Sequence, residues 1–271
     1  MKIHFWKMHG AANDFVLVDD RKLQFPSRDR RWIASVSARR TGVGCEGVIL
    51  IQPSRTANFR MRFFNPDGSE AEMCGNGARC VARLAFEIGA APRDMTIQTI
   101  AGTLSARVLG KDRVELVMTD PSDWRTGCSL SIGRRRLRYD FVNTGVPHAV
   151  VVVRDLDAVD VATLGAAIRR HTDFAPRGTN ADFISPAGAG SIRIRTYERG
   201  VEAETLACGT GIVAGALVAA RNGLATPPVR VRAASGDTLT VNFSRSGETF
   251  ENVTLQGPAV HVFEGDLTYA K

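Results

Sequence analysis

The stretch Cys74-Gly75-Asn76-Gly77 runs directly into Ala78-Arg79-Cys80-Val81-Ala82-Arg83-Leu84-Ala85-Phe86-Glu87-Ile88 and stops at Gly89. Its twin, Cys208-Gly209-Thr210-Gly211, stands 134 residues further on, opens a second apolar segment over 212–221 and stops at Asn222-Gly223. Each reads as a glycine-rich turn entering a helix, with a glycine just past the last turn as the usual stop. Both helices are apolar nearly all round, and a helix without a solvated face is a buried one. Strands and turns precede each copy and hairpins follow it. Self-similarity at this spacing is the mark of an internal repeat.

Residues 3–8 and 15–19 read as strands around a polar loop, His9 to Asp14. Residues 27–40 carry Trp32, Ile33 and Val36 on one helical face. Strands are expected at 48–51 and 60–64, before the turn Asn65-Pro66-Asp67-Gly68, and at 96–100, 103–108 and 113–118. Asp120-Pro121-Ser122-Asp123 is a plausible boundary near the midpoint. The second half repeats the order: strands at 138–142 and 149–153, a helix at 158–170, strands at 180–184 and 191–197, the second Cys-Gly turn, then strands at 229–232, 239–243 and 259–264. The expected class is α+β, in two pseudo-symmetric halves, each a sheet wrapped around one central helix.

The two turns carry chemistry. A cysteine at a helix N-terminus has its thiolate stabilised by unpaired backbone N–H groups and by the macrodipole, so its pKa is expected below the ordinary ~8.5. The flanking glycines let the backbone bend close to a ligand, and the same N–H groups suit a carboxylate. Two such turns facing one carboxylate, in a dry cleft between the halves, would suit removal of a proton from one face of the adjacent carbon and delivery to the other. Each sulfur would then sit ~3–3.5 Å from that carbon, so the pair would be roughly 6–7 Å apart. Donors aimed at the carboxylate would strengthen as charge develops there. Cys74-X5-Cys80 lacks zinc-ligand spacing and no Cys-X2-Cys occurs, so no metal is expected. Cys80 reads as core, Cys45 and Cys128 as bystanders. No lysine stands in a context suited to a Schiff base, and no phosphate loop or nucleotide fingerprint is present, so no cofactor is expected.

Composition sets the outer limits. The 271 residues are 44% hydrophobic and 23% charged, which is an ordinary globular balance. The longest charge-free apolar stretch, 206–220, falls short of the ~20 residues a membrane span requires. Residues 1–7 have no apolar core of a secretory signal, and five widely spaced cysteines argue for a reducing compartment, so a cytoplasmic location is expected. The net charge of +7 motivates a nucleic-acid-binding alternative, but the arginines are spread along the chain and lack interleaved aromatics.

At this point the residues resemble a known family. His9-Gly10-Ala11-Ala12-Asn13-Asp14-Phe15, Phe64-Asn65-Pro66-Asp67-Gly68-Ser69, Met73 through Cys80, Tyr197-Glu198-Arg199-Gly200, and Glu204 through Gly211 are similar to diaminopimelate epimerase, in the family's order over essentially the whole chain. The resemblance implies a pyridoxal-independent, two-base epimerase of LL- and meso-2,6-diaminopimelate in lysine and peptidoglycan precursor synthesis, usually a homodimer. It implies a mostly antiparallel sheet in each half: 1–118 with Cys74, joined by a returning strand in 259–271, and 119–258 with Cys208. By position, Cys74 and Cys208 are the acid/base pair, and the N–H groups of Gly75, Asn76, Gly209 and Thr210 hold the reacting carboxylate. Asn13, Asn65, Asn180, Glu198 and Arg199 read the rest of the substrate, Arg199 as a bidentate carboxylate partner. His148 and Glu198 tune the thiols. Structural alternatives stand beside these: His148, Asn13 and Asn65 as turn residues, and Glu198-Arg199 as a surface ion pair. Val146 and Gly47 depart from the Asn and Gln common in the family, and the loop Val201-Glu202-Ala203-Glu204 is one residue longer than its shortest version. These bear on substrate choice. A proline- or histidine-type racemase is the alternative, against which Asn76 speaks, because proline-type enzymes carry His there.

Overall fold

The computed structural model describes residues 1–270. The chain divides into two compact units, one formed by Met1–Leu116 with Gly257–Lys271 and the other by Val117–Gln256.

The first unit opens with β1 (Lys2–Gly10) and β2 (Asn13–Asp19), an antiparallel pair with Gly10 opposite Asn13. The expected polar loop is therefore a two-residue hairpin turn, with Ala11 and Ala12 both at positive φ, 57° and 62°. Such turns match the twist of the flanking strands but normally use Asn or Gly, which is why the sequence conceals this one. After α1 (Arg30–Ser37) come β3 (Val48–Gln52), parallel to β2, and β4 (Phe59–Phe64), antiparallel to β3. Helix α1 is shorter than the pattern suggested because Asp29 caps Trp32 N and the chain turns extended at Ala38. The short β5 (Glu70–Ala71) leads into α2 (Gly75–Glu87). Then β6 (Asp94–Thr99), parallel to β4, continues through the antiparallel strands β7 (Gly102–Val108) and β8 (Arg113–Val117).

The second unit repeats this order. An eleven-residue strand, β9 (Ser122–Ile132), pairs antiparallel with β10 (Arg135–Asn143), which pairs with β11 (Pro147–Val152). After α3 (Val161–Arg169), β12 (Asn180–Pro186) lies parallel to β11, and β13 (Ser191–Glu198) antiparallel to β12. Short β14 (Ala203–Thr205) leads into α4 (Gly209–Arg221); β15 (Val229–Arg232), parallel to β13, continues through β16 (Thr238–Ser246) and β17 (Thr249–Pro258). Finally β18 (Val260–Thr268) pairs antiparallel with β1, taking in the first unit the place β9 has beside β10 in the second.

Each sheet is thus mostly antiparallel with two parallel joins, and each wraps its own helix. Helix α2 packs on β1, β2, β3 and β7, and α4 on β10 to β13, β15 and β16. Every residue from Asn76 to Ala85 and from Gly211 to Ala220 is buried. Two of these are arginines. Arg83 donates to Glu87 and Asp112, both at 2.7 Å, and Arg79 donates to Asn76 Oδ1 at 2.8 Å and to the Pro258 carbonyl at 3.2 Å. Buried charges persist only with such partners.

Candidate active site

Both Cys-Gly-X-Gly turns become helix N-termini with cysteine at the cap position. Cys74 is the N-cap of α2 with extended backbone (φ −138°, ψ 119°), and its carbonyl accepts from Ala78 N at 2.8 Å. Cys208 caps α4 in the same way (φ −107°, ψ 114°), its carbonyl accepting from Ile212 N at 2.9 Å. The N–H groups of Gly75 and Asn76, and of Gly209 and Thr210, precede the first intrahelical bond and are the natural anion-binding groups of these termini. A Cβ on Gly75 would meet nothing within 4 Å, so a ligand has room to approach the α2 backbone. Asn76 is buried and its side chain is held by Arg79.

The surroundings of Cys208 contradict one expectation. Its thiol is pushed well above the ordinary range, because burial outweighs everything else and the carboxylates of Glu198 and Asp182 add to it. The Thr210 hydroxyl, 3.5 Å from Sγ, and the Gly211 backbone pull the other way and do not prevail. A helix N-terminus favours thiolate, but in a site only 6% exposed desolvation wins. Cys208 at rest is therefore a thiol. Glu198, also raised by burial, accepts from Thr205 Oγ1 at 3.0 Å and faces Cys208; it is not a surface ion-pair residue.

His148 is fully buried and does not serve a local turn. Its Nδ1 lies 2.7 Å from Asp182 Oδ2, and its Nε2 lies 3.0 Å from Thr210 Oγ1. Asn180 is also buried: its amide nitrogen donates to the Pro147 carbonyl at 3.1 Å and its Oδ1 accepts Arg199 N at 2.7 Å. The amide thus ties the backbone of Arg199, through Oδ1, to the start of β11 at Pro147, through its nitrogen. Neither Asp182 nor Thr205 emerged from the sequence reading. The available signal for Asp182 was a carboxylate set between the apolar residues Ala181 and Phe183.

Arg199 is half-buried and lines a cavity of about 300 Å³ together with Arg125, Arg177, Asn143 and Pro147. Burial lowers its pKa, and Arg169 and Arg177 lower it further. Crowded positive charge of this kind is relieved by an anion.

In the first unit, Asn13 begins β2 immediately after the hairpin turn, and its Oδ1 is buried with no hydrogen-bond partner. An orphaned buried acceptor is costly unless a ligand donor meets it. Its neighbour Asp14 is clamped by Lys7 Nζ at 2.5 Å and Arg39 Nη2 at 2.9 Å. Asn65 Nδ2 donates to Ser69 Oγ at 3.1 Å inside its turn, which leaves Oδ1 as the end that the turn does not use. At Gly47 a Cβ would stand 2.4 Å from the Phe63 ring and 2.6 Å from the Phe64 carbonyl, so this chain has no room for a side chain there. Cys80 is fully buried and its thiol is pushed up to about 12 by that burial, with Cys45 also raised by burial; both are packing residues. Among the described residues no three His, Cys, Asp or Glu side chains are grouped to hold a metal ion, and no helix is long and apolar enough to cross a membrane.

The family model described as diaminopimelate epimerase matches residues 5–124 and 141–262. Diaminopimelate epimerase of Aquifex aeolicus is 44% identical over 98% of this chain and 98% of its own length, and that of Chlorobaculum tepidum is 43% identical over 96% and 100%. Among solved structures, a PhzF-family phenazine biosynthesis protein of Bacillus anthracis superposes with a TM-score of 0.74 at 18% identity, covering 99% of this chain and 100% of that one. A hydroxyproline epimerase of Agrobacterium vitis gives 0.70 at 18% identity, covering 98% and 91%. These last two establish the shared fold. With the full-length relatives and both cysteine-capped helices in place, the chain belongs to the diaminopimelate epimerase family.

Proposed function

We propose that this protein interconverts LL- and meso-2,6-diaminopimelate, a step of lysine and peptidoglycan precursor synthesis, by a two-base mechanism. Cys74 and Cys208 are the two proton carriers. The observation that carries the reading is that each caps a buried helix whose first N–H groups suit a carboxylate. One thiolate removes the Cα proton while the other sulfur delivers a proton to the opposite face, and the roles exchange with direction. As the proton leaves, charge spreads onto the carboxylate, where the N–H groups of Gly75, Asn76, Gly209 and Thr210 stabilise it. Because Cys208 is held as the thiol, it is the donor in the resting enzyme and Cys74 the base.

Arg199 pairs with the distal carboxylate, and Asn13 Oδ1 accepts from a substrate ammonium, which supplies its missing partner. Asn65 contributes its Oδ1, and Asn180 acts through Arg199, whose backbone it fixes. Glu198 and His148 govern the proton on Cys208. The chemistry draws on side chains and backbone alone, without a cofactor; the enzyme is cytoplasmic and works as a homodimer.

The test is Cα hydrogen exchange in deuterated water across a panel of LL- and meso-diaminopimelate, proline, hydroxyproline and histidine. Exchange and inversion are expected with diaminopimelate. Exchange confined to proline or histidine would reassign the substrate.

A further inference from the structure

Cys208 poses a problem for turnover. It must lose a proton each time it is to act as base, yet it is buried and held as a thiol. The parallel register of β11 and β12 sets His148 opposite Asn180, so Asp182, two residues along, shares the same face of β12. The Asp182 carboxylate takes the Thr196 hydroxyl on Oδ1 at 2.7 Å, and its Oδ2 faces His148 Nδ1 at 2.7 Å. A carboxylate only accepts, so Nδ1 carries the hydrogen and Nε2 the lone pair. The groups around Nε2 agree. Thr210 Oγ1 lies at 3.0 Å and Asn180 Nδ2 at 3.5 Å, and both have a hydrogen to give. With its hydrogen directed to Nε2, the Thr210 oxygen turns its lone pairs outward, and Cys208 Sγ stands 3.5 Å from it.

We propose that Thr210, His148 and Asp182 form a proton relay that turns the resting Cys208 thiol into the thiolate it must be in the direction where it is the base; this deepens the two-base reading and rests on it. The S–H bond of Cys208 breaks and its proton joins Thr210 Oγ1, while the hydroxyl's own proton moves to His148 Nε2. Thiolate, neutral hydroxyl and imidazolium result, with the imidazolium held by Asp182. Nothing is oxidised or reduced, and the reverse step restores the thiol. Two local features keep the chain aligned. Thr144 Oγ1 donates to the Thr210 carbonyl at 3.0 Å. Residue 211 is glycine, where a Cβ would stand 2.6 Å from Asp182 Oδ1. Glu198, on β13 and bonded by Thr205, is the competing proton acceptor beside Cys208. Replacing Thr210 leaves it in place.

The experiment uses the full chain and its Thr210→Val, Thr210→Ser and Asp182→Asn variants. Steady-state epimerisation of diaminopimelate is expected to show kcat reduced roughly tenfold to a hundredfold in Thr210→Val and Asp182→Asn, with KM within about twofold, and recovery in Thr210→Ser. Nitrogen NMR of histidine-labelled wild-type protein is expected to show His148 protonated on Nδ1 and not on Nε2. A wild-type kcat in Thr210→Val, failure of serine to restore it, or an Nε2–H tautomer would each overturn the relay. If wild-type protein leaves diaminopimelate unchanged, the proposed reaction fails, and the tautomer still decides whether the hydrogen-bond chain has the required polarity. The tautomer also decides should Thr210→Val not fold.

Discussion

Arg79 reaches back along α2 and donates from Nη2 to Asn76 Oδ1 at 2.8 Å, fixing the second residue of the helix whose N-terminus carries Cys74. Its Nε bonds the Pro258 carbonyl, so one buried guanidinium joins the helix start to the chain entering β18. Arg79→Met keeps much of the volume and strands both acceptors. At about 1–3 kcal/mol for each buried group left unpaired, the variant is expected to lose roughly 2–6 kcal/mol of stability and to bind substrate more weakly. Urea denaturation and KM measure the two effects. Unchanged values in both would show that Asn76 is held by other means.

The two thiols are expected to be individually indispensable. Cys74→Ala and Cys208→Ala should each lower interconversion by 10³-fold or more, the upper part of the range for a positioned acid or base. Each removes a single sulfur at an N-cap that makes no side-chain capping bond, so melting temperatures should stay within a few degrees. Near-normal activity in either variant refutes the two-base scheme.

Glu198 is expected to trade stability for function. Its carboxyl is raised above 4.5 in the folded protein by burial, so folding favours the protonated form. The stability this group contributes is present below 4.5 and is lost as pH rises through the raised value. Glu198→Gln removes that loss. Denaturation between pH 4 and 8 should show the variant at least as stable as wild type at the upper end and less pH-dependent, while its kcat falls. A variant clearly less stable at pH 8 would contradict the sign.

Asp14 works in the opposite sense. Burial alone would push its carboxyl up, but hydrogen bonds from Arg39 and Lys7 outweigh it and hold it below 3.8. Its contribution is present above 3.8 and is lost as pH falls through the lowered value. Asp14→Asn leaves the buried Lys7 ammonium with the Gly44 carbonyl and without its carboxylate. The expected cost at neutral pH is roughly 1.5–3 kcal/mol, with acid sensitivity reduced. An Asp14→Asn protein with the wild-type acid transition would show that the clamp carries no linkage.

Much of this architecture is written in short-range chemistry. Cysteine followed by Gly-X-Gly and an apolar run specifies a capped, buried helix wherever it stands, and its recurrence at 74 and 208 reveals the two-fold repeat and the pair of candidate acid/base groups. These features need only neighbouring residues, since caps, turns and hydrophobic periodicity are local. Strand β9 escaped notice because it pairs with β10 and leaves most of its residues exposed, so its sequence is polar and lacks alternation. The hairpin at Ala11-Ala12 was hidden because alanine gives no sign of positive φ. Tertiary packing alone decided the state of Cys208. Only the folded sheet brings Asp182 and His148 into contact across 34 positions, and only burial determines that desolvation overrides the helix terminus. Electrostatic balance depends on which groups surround a charge and on how much water is excluded, and neither is encoded in any contiguous run of residues.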